Sequence, residues 1–169
     1  IFVIQIMHYI AMKEFILNTK ITVYHIDECS DIEKKLIEAA KSATKKAYAP
    51  YSQFKVGAAV LLENGEIVIG TNQENAAYPS GLCAERTAIF SANANFPEHK
   101  VEAIAIAAFY KGKYSTDVTP CGGCRQVLLE TETRFKSPIK ILISRDEEIY
   151  KLDNATDLLP LHFGEEMLQ

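Results

Sequence analysis

The chain has 169 residues, of which 48% are hydrophobic and 24% charged, and its formal net charge at neutral pH is -4. This length favours one domain with a buried core, and the composition is ordinary for a globular protein. The acidic balance argues against a nucleic-acid-binding protein, because the basic residues form only short pairs such as Lys34-Lys35 and Lys45-Lys46.

The first eleven residues are apolar, but they lack the basic start and the small-residue cleavage site of a secretion signal, and they are too short to cross a bilayer. We interpret residues 1–11 as a non-native or mis-assigned leader, or as an extension that packs on a partner, and residues 12–169 as a single domain. Four cysteines without a secretion signal favour metal binding or catalysis in a reducing compartment over disulfides. We therefore expect a cytoplasmic protein with no membrane partner.

The N-terminal third predicts a weak strand and then a helix. Residues 15–24 alternate weakly between polar and apolar and could form a strand or an arm. Ser30 and Glu33 have the spacing of a capping box, and apolar residues recur at helical spacing after them. The sequence therefore predicts a helix over about 31–47, which must end before Pro50.

The middle of the chain predicts a hairpin, a helix and a central strand. Residues 56–62 and 66–71 flank Asn64-Gly65, a pair typical of a type I′ turn. A helix is predicted over 85–94. Residues 101–108 are almost wholly apolar, as in a strand buried on both faces.

The last third predicts a helix from Val127 and strands over 139–144 and 148–152. The resulting order is α-β-β-α-β-α-β-β. Because helices separate successive strands, we expect an α/β fold with three α-β-α layers around a central mixed five-stranded sheet, antiparallel at the hairpin.

Three cysteines and a glutamate form the strongest chemical pattern. Cys121 and Cys124 share a C-x-x-C, and Cys83 precedes them by 38 positions, two residues before Glu85. Three thiolates suit Zn²⁺ and leave the fourth tetrahedral position open for water. A glutamate beside that water could move protons. The pattern therefore predicts a catalytic site with one zinc ion per chain.

Both cysteine groups fall at predicted helix starts, where backbone N–H groups favour the thiolate. Three thiolates would still leave the zinc site with a net negative charge. We expect Arg86 to offset this charge by a hydrogen bond to a ligand sulfur, with Arg125 as the lesser candidate. The alternative is a closed structural zinc site with Cys29 as fourth ligand. Cys29 has no neighbouring ligand and is expected to be a free, partly buried cysteine.

These motifs resemble the cytidine deaminase family, specifically the small homotetrameric type whose zinc is held by three cysteines. The resemblance covers roughly residues 30 to 163 in the same order. The segments that carry it are Tyr48-Ala49-Pro50-Tyr51-Ser52 with Phe54, Val56 and Gly57, Asn72-Gln73-Glu74-Asn75-Ala76, Cys83-Ala84-Glu85-Arg86, Pro120-Cys121-Gly122-Gly123-Cys124-Arg125-Gln126 and Asp157-Leu158-Leu159-Pro160 with Phe163.

The resemblance implies hydrolytic deamination of cytidine and 2′-deoxycytidine to uridine and 2′-deoxyuridine, with release of ammonia, in pyrimidine salvage. Cys83, Cys121 and Cys124 would hold zinc. A zinc-bound hydroxide would attack C4 of the base, and Glu85 would be the proton shuttle.

The resemblance also implies how the nucleoside is bound. Asn72 and Glu74 would hydrogen-bond the ribose 3′-hydroxyl, and the backbone around Ala84 would contact the edge of the base. Phe54 would pack on the pyrimidine. Phe163 would be supplied by a neighbouring subunit, so that a homotetramer shares its active sites.

Three other functions stay open. A related deaminase could act on another aminopyrimidine such as blasticidin S, although Asn72, Glu74 and the segment 158–160 favour the nucleoside enzyme. A zinc-stabilised interaction module would not need Glu85. An RNA- or DNA-editing deaminase is disfavoured by the acidic balance and the lack of basic clusters.

Overall fold

A computed structural model describes residues 13–168, so the proposed leader over residues 1–11 lies outside the described residues. Three α-helices and seven strands are present in the described part. In chain order they are β1 (Thr22–His25), α1 (Asp31–Ala43), β2 (Lys55–Leu62), β3 (Ile67–Thr71), α2 (Ala84–Asn95), β4 (Val101–Tyr110), β5 (Lys113–Tyr114), α3 (Gly122–Phe135), β6 (Lys140–Arg145) and β7 (Glu148–Leu152). None of the helices between residues 13 and 168 combines the length and the hydropathy that a membrane span requires.

The strands form one mixed sheet in the order β1-β7-β6-β4-β2-β3, with β5 paired to β4. The β4–β6 pair is parallel and the other pairs are antiparallel. The predicted α/β class with a mixed sheet is confirmed, but the predicted count of five strands is too low. The two additional strands are β1 and β5, which are four and two residues long. β1 overlaps the weak strand or arm expected over residues 15–24, which the predicted sheet does not include, whereas β5 has too few residues to show a period of two.

Helix α1 begins as its capping box predicts. The Ser30 N–H donates to the Glu33 carboxylate at 3.0 Å. The α-helix ends at Ala43, before the predicted end near residue 47, because the Thr44 hydroxyl donates to the Lys41 carbonyl at 2.7 Å and a 3₁₀ turn follows over residues 44–46. A side chain that binds the preceding turn competes with helix continuation at this point.

The type I′ turn predicted for the β2–β3 hairpin is wrong. That turn requires positive φ at both central residues, but Gly65 has a φ of 85° while Asn64 is not in the positive-φ region. The Asn64 side chain instead accepts a hydrogen bond from the Glu66 N–H at 3.0 Å. The Gly65 N–H donates to Leu62, and the Leu62 N–H donates to Glu66. The connection is therefore the three-residue kind with one left-handed glycine.

The two faces of the sheet carry separate cores. One core packs α1 against alternate residues of β2 and β4, such as Ala59 and Ala105. The other packs α2 and α3 against the intervening residues, such as Ala58 and Ile104. This alternation is the period of two expected of strands covered on both faces.

Helix α2 lies unusually close to β3 at Gly70. A Cβ atom placed on Gly70 would lie 2.3 Å from the Ala88 nitrogen and 2.5 Å from the Ala84 carbonyl oxygen. The absence of a side chain at this position therefore allows the first turn of α2 to rest on the sheet. That turn follows Cys83 and contains Glu85.

Candidate active site

The N-terminal ends of α2 and α3 lie close together at one end of the core that these two helices form with the sheet. Cys83 is the N-cap residue of α2, Cys121 is the N-cap residue of α3, and Cys124 lies in the first turn of α3. The Sγ atoms of Cys83 and Cys121 are 3.7 Å apart, and those of Cys121 and Cys124 are 3.5 Å apart. These three residues, called the sulfur cluster below, are the one group of potential metal ligands found within residues 13–168.

The spacing of the sulfur cluster fits zinc. A tetrahedral ion with Zn–S bonds of about 2.3 Å requires its sulfurs to be about 3.8 Å apart, close to the two separations observed. Three sulfurs leave one tetrahedral position for another ligand. The closed alternative is excluded in the described chain, because Cys29 is a free, buried cysteine in the core beneath α1, on the other face of the sheet. The arrangement is that of a catalytic zinc site.

A cation lies beside the sulfur cluster. The Arg86 Nη2 atom is 3.7 Å from the Cys83 sulfur. Hydrogen bonds from Cys124 and then from Arg86 lower the pKa of the Cys83 thiol, which favours its thiolate form. Arg125, the lesser candidate for this role, is directed elsewhere. Its side chain donates to the carbonyls of Pro120 and Leu158.

Glu85 is a buried carboxyl at the same site, with 5% of its surface exposed. Burial raises the pKa of Glu85 to about 7. A carboxyl whose pKa is near neutral can both accept and release a proton at physiological pH. Glu85, Cys83 and Cys121 line one cavity, so this proton carrier faces the same space as the sulfurs.

The cavity has a volume of about 660 Å³, within the usual range for small-molecule sites. Its walls come from the segment before β2, the segment after β3, the start of α2 and the loop before α3. The segment after β3 is held on both sides: Gln73 exchanges backbone hydrogen bonds with Leu82, and the Glu74 N–H donates to Tyr48. This pairing brings the predicted ribose-binding residues next to Cys83.

Asn72 lines the cavity and also organises its wall. Its Oδ1 atom accepts from the Val56 N–H at 2.8 Å, and its Nδ2 atom donates to the Phe54 carbonyl at 2.9 Å. One N–H and one lone pair of the amide are left for other partners. Phe54 lines the same cavity, and its ring packs against Tyr110 with centroids 5.7 Å apart. Asn72 and Phe54 are therefore positioned as one unit.

Glu74 fixes the neighbouring loop. Its carboxylate accepts from the backbone N–H groups of Tyr51 and Ser52 at 2.9 and 3.2 Å, and from the Ser52 hydroxyl. The hydrogen bond from the Ser52 hydroxyl contributes most to lowering the pKa of Glu74, so the side chain is ionised at neutral pH. Sequence reasoning gave Glu74 a role toward substrate but did not anticipate that it also binds this loop.

Of the remaining predicted residues, Ala84 is buried and lines the cavity, but Phe163 does not line it. Phe163 is 58% exposed, and its backbone carbonyl accepts from the Gln126 side chain at 2.9 Å. Sequence reasoning missed Asp117 and Val118, which line the cavity from the loop before α3. Their position just before the second cysteine motif was the available signal.

The comparisons with known proteins agree with this geometry. The sequence model described as "Cytidine and deoxycytidylate deaminase zinc-binding region" matches residues 30–136. The chain belongs to the cytidine and deoxycytidylate deaminase family. This membership, with the three-sulfur geometry, confirms the predicted family, the α/β class and the single zinc cofactor.

Relatives within this family are close in sequence. The cytidine deaminase of Sporosarcina psychrophila is 48% identical over 100 residues, which is 59% of this chain and 69% of that protein. A probable cytidine deaminase of Dictyostelium discoideum is 35% identical over 136 residues, covering 80% and 86% of the two chains.

Solved structures of the family share the fold. The cytidine deaminase from Burkholderia pseudomallei is 41% identical with a TM-score of 0.63, covering 77% of this chain and 98% of that one. The enzyme from Mycobacterium tuberculosis is 34% identical with a TM-score of 0.62, covering 80% and 99%.

Proposed function

We propose that this deaminase-family protein hydrolyses cytidine and 2′-deoxycytidine to uridine and 2′-deoxyuridine, releasing ammonia, in pyrimidine salvage. The observation that carries the proposal is a buried glutamate that lines the same cavity as Cys83 and Cys121, two members of a three-sulfur cluster with tetrahedral spacing. The curated relatives named as cytidine deaminases support the same activity.

Cys83, Cys121 and Cys124 are the proposed ligands of one Zn²⁺ per chain. When bound, zinc supplies a Lewis acid that makes water nucleophilic at neutral pH. Arg86 donates toward the Cys83 sulfur at 3.7 Å and offsets part of the negative charge of three thiolates. Arg86 therefore keeps the site from becoming too electron-rich to activate water.

Glu85 is the proposed proton shuttle. Water adds to C4 of the base while Glu85 takes its proton and delivers it to N3. Glu85 then takes the remaining proton from the new C4 hydroxyl and passes it to the amine, so that the C4–N4 bond breaks, ammonia leaves and C4 becomes the carbonyl of uridine. The burial that raises the pKa of Glu85 suits it to each of these transfers.

The ribose is bound, in this proposal, by Asn72 and Glu74 through its 3′-hydroxyl. The free N–H of Asn72 can donate, and the carboxylate of Glu74 has about one lone pair beyond the three used by the loop. Because both sugars carry a 3′-hydroxyl, cytidine and 2′-deoxycytidine are both substrates. Phe54 packs on the pyrimidine, and the backbone at Ala84 contacts the edge of the base.

The active protein is proposed to be a cytoplasmic homotetramer with shared sites. Phe163 is exposed and does not reach the cavity of its own chain, which supports a role in the site of a neighbouring subunit. The exposed aromatic side chains of Tyr51 and Tyr78 at the cavity also fit a surface that another subunit covers.

The direct test is loss of nucleoside absorbance together with ammonia release, with zinc counted per chain. Cytidine and 2′-deoxycytidine should both be converted, whereas cytosine, CMP and blasticidin S should not. Conversion of blasticidin S but not of cytidine would identify the related antibiotic deaminase. A protein that holds one zinc per chain but converts none of these substrates would instead be the zinc-stabilised interaction module.

A further inference from the structure

The turn from Cys121 to Cys124 begins α3 and carries two of the three sulfurs, and no side chain between the two cysteines helps to hold its shape. Gly122 and Gly123 separate the cysteines, and a Cβ atom at either position would meet nothing within 4 Å. Glycine has more backbone freedom to lose than any other residue. Cys121 caps α3 without a side-chain hydrogen bond to the helix. Only the helix backbone and contacts from outside the turn therefore hold its two sulfurs, which are 3.5 Å apart.

Arg125 supplies such contacts from the next position along the chain. Its Nε atom donates to the Pro120 carbonyl at 2.8 Å, and its Nη1 atom donates to the Leu158 carbonyl at 2.9 Å. Its backbone N–H donates to the Cys121 carbonyl at 3.0 Å. Because Pro120 immediately precedes the turn and Arg125 immediately follows it, the side chain closes a ring around both cysteines.

The far end of this bridge is firmly held. The Leu158 side chain is buried in the same core as α2. The turn that contains it is fixed to α3 a second time, because the Glu132 carboxylate accepts from the Ala155 N–H at 2.7 Å and from the Thr156 hydroxyl at 2.6 Å. Arg125 therefore connects the cysteine turn to a segment that is itself partly buried and hydrogen-bonded to α3.

We propose that Arg125 is a positioning residue for the metal centre, which presets the Cys121–Cys124 turn for Zn²⁺ by bridging the Pro120 and Leu158 carbonyls. The inference rests on the proposed ligation of zinc by the sulfur cluster. Arginine suits the role because its planar guanidinium holds several N–H groups in a fixed fork, which lysine lacks. Without the bridge, the two sulfurs must be ordered when the metal binds, which weakens binding.

The test measures metal binding rather than activity. Zn²⁺ affinity is determined by competition with a chelator, and the visible absorption of bound Co²⁺ reports the thiolate geometry. Arg125→Ala should weaken zinc binding about tenfold, the lower end of the effect usual for partners that orient metal ligands. Arg134→Ala is the matched control, since Arg134 also lies on α3 and donates to a backbone carbonyl, that of Pro97, at 3.3 Å. The control should bind both metals like the unmodified protein.

Arg125→Lys keeps the charge, and it is the second variant in which zinc affinity is measured if the alanine variant does not fold. It should reach one carbonyl but not both, so its zinc affinity should fall between those of the unmodified protein and the alanine variant. Unchanged zinc affinity and an unchanged Co²⁺ spectrum in a folded Arg125 variant would overturn the inference, as would an equal loss in Arg134→Ala. An unmodified protein that binds no zinc would instead refute the proposed function, and the role of Arg125 with it.

Discussion

Replacement of Gly70 by alanine should displace helix α2, which carries Glu85, without changing any side chain proposed to act on the substrate. The new Cβ atom would lie 2.3 Å from the Ala88 nitrogen, whereas ordinary contacts begin at 3.4 Å. Helix α2 must therefore move away from β3 by about 1 Å, and overpacking of this kind costs typically 1–3 kcal/mol. A misplacement of about 1 Å can reduce turnover about 100-fold. Because Glu85 moves with the helix, activity should fall far more than the fraction of folded protein.

Gly57→Ala is the matched control on the opposite face of the sheet. Its Cβ atom would lie 2.2 Å from the Ala40 carbonyl oxygen and 2.8 Å from the Thr44 nitrogen, so it would displace α1, which carries no proposed active-site residue. Denaturant unfolding should show a similar loss of stability in both variants. Cytidine turnover per folded, zinc-loaded chain should fall strongly only in Gly70→Ala. Equal turnover in the two variants would refute the argument that close packing at Gly70 places Glu85.

Three further changes test other parts of the site. Arg86→Ala should lower cytidine turnover at least tenfold while zinc content falls less, because the arginine acts on the charge of the cluster; parallel losses would contradict this. Asn72→Ala removes two hydrogen bonds to the backbone, so thermal or chemical unfolding should show a loss of about 1–3 kcal/mol, and the KM for cytidine should rise. An unchanged KM would remove Asn72 from substrate binding. If Phe163 completes a neighbour's site, dilution until light scattering shows only monomers should abolish turnover. An active monomer would exclude that role.

The predictable part of the fold came from patterns that are local and repeated. The start of α1 followed from the Ser30–Glu33 capping box, and the buried strand β4 followed from a long apolar run. The predicted type I′ turn was wrong because Asn64 can either adopt positive φ or bind nearby backbone with its side chain. It accepts from the Glu66 N–H instead, and only Gly65 has positive φ. Propensity alone cannot decide such a competition.

In the site, sequence spacing indicated the residue types but not their supporting contacts. The C-x-x-C and the Cys-Ala-Glu motif are short enough to read directly, and the structure brings their sulfurs together. The bonds from Asn72 to the 54–56 segment, and the bridge from Arg125 to Leu158, join residues 16 to 33 positions apart. Such contacts depend on how the elements pack, so neither could be read from local pattern.

The most direct test of the proposed mechanism is the variant Glu85→Gln, with zinc content, unfolding and ammonia release measured on the same preparation. Glutamine has nearly the same shape as glutamate but cannot carry the proton. Zinc per chain and stability should therefore match the unmodified protein, while ammonia release from cytidine should fall by about 10²- to 10⁴-fold, the usual contribution of a positioned acid–base group. A zinc-loaded Glu85→Gln variant that keeps most of its turnover would contradict the assignment of Glu85 as the proton shuttle.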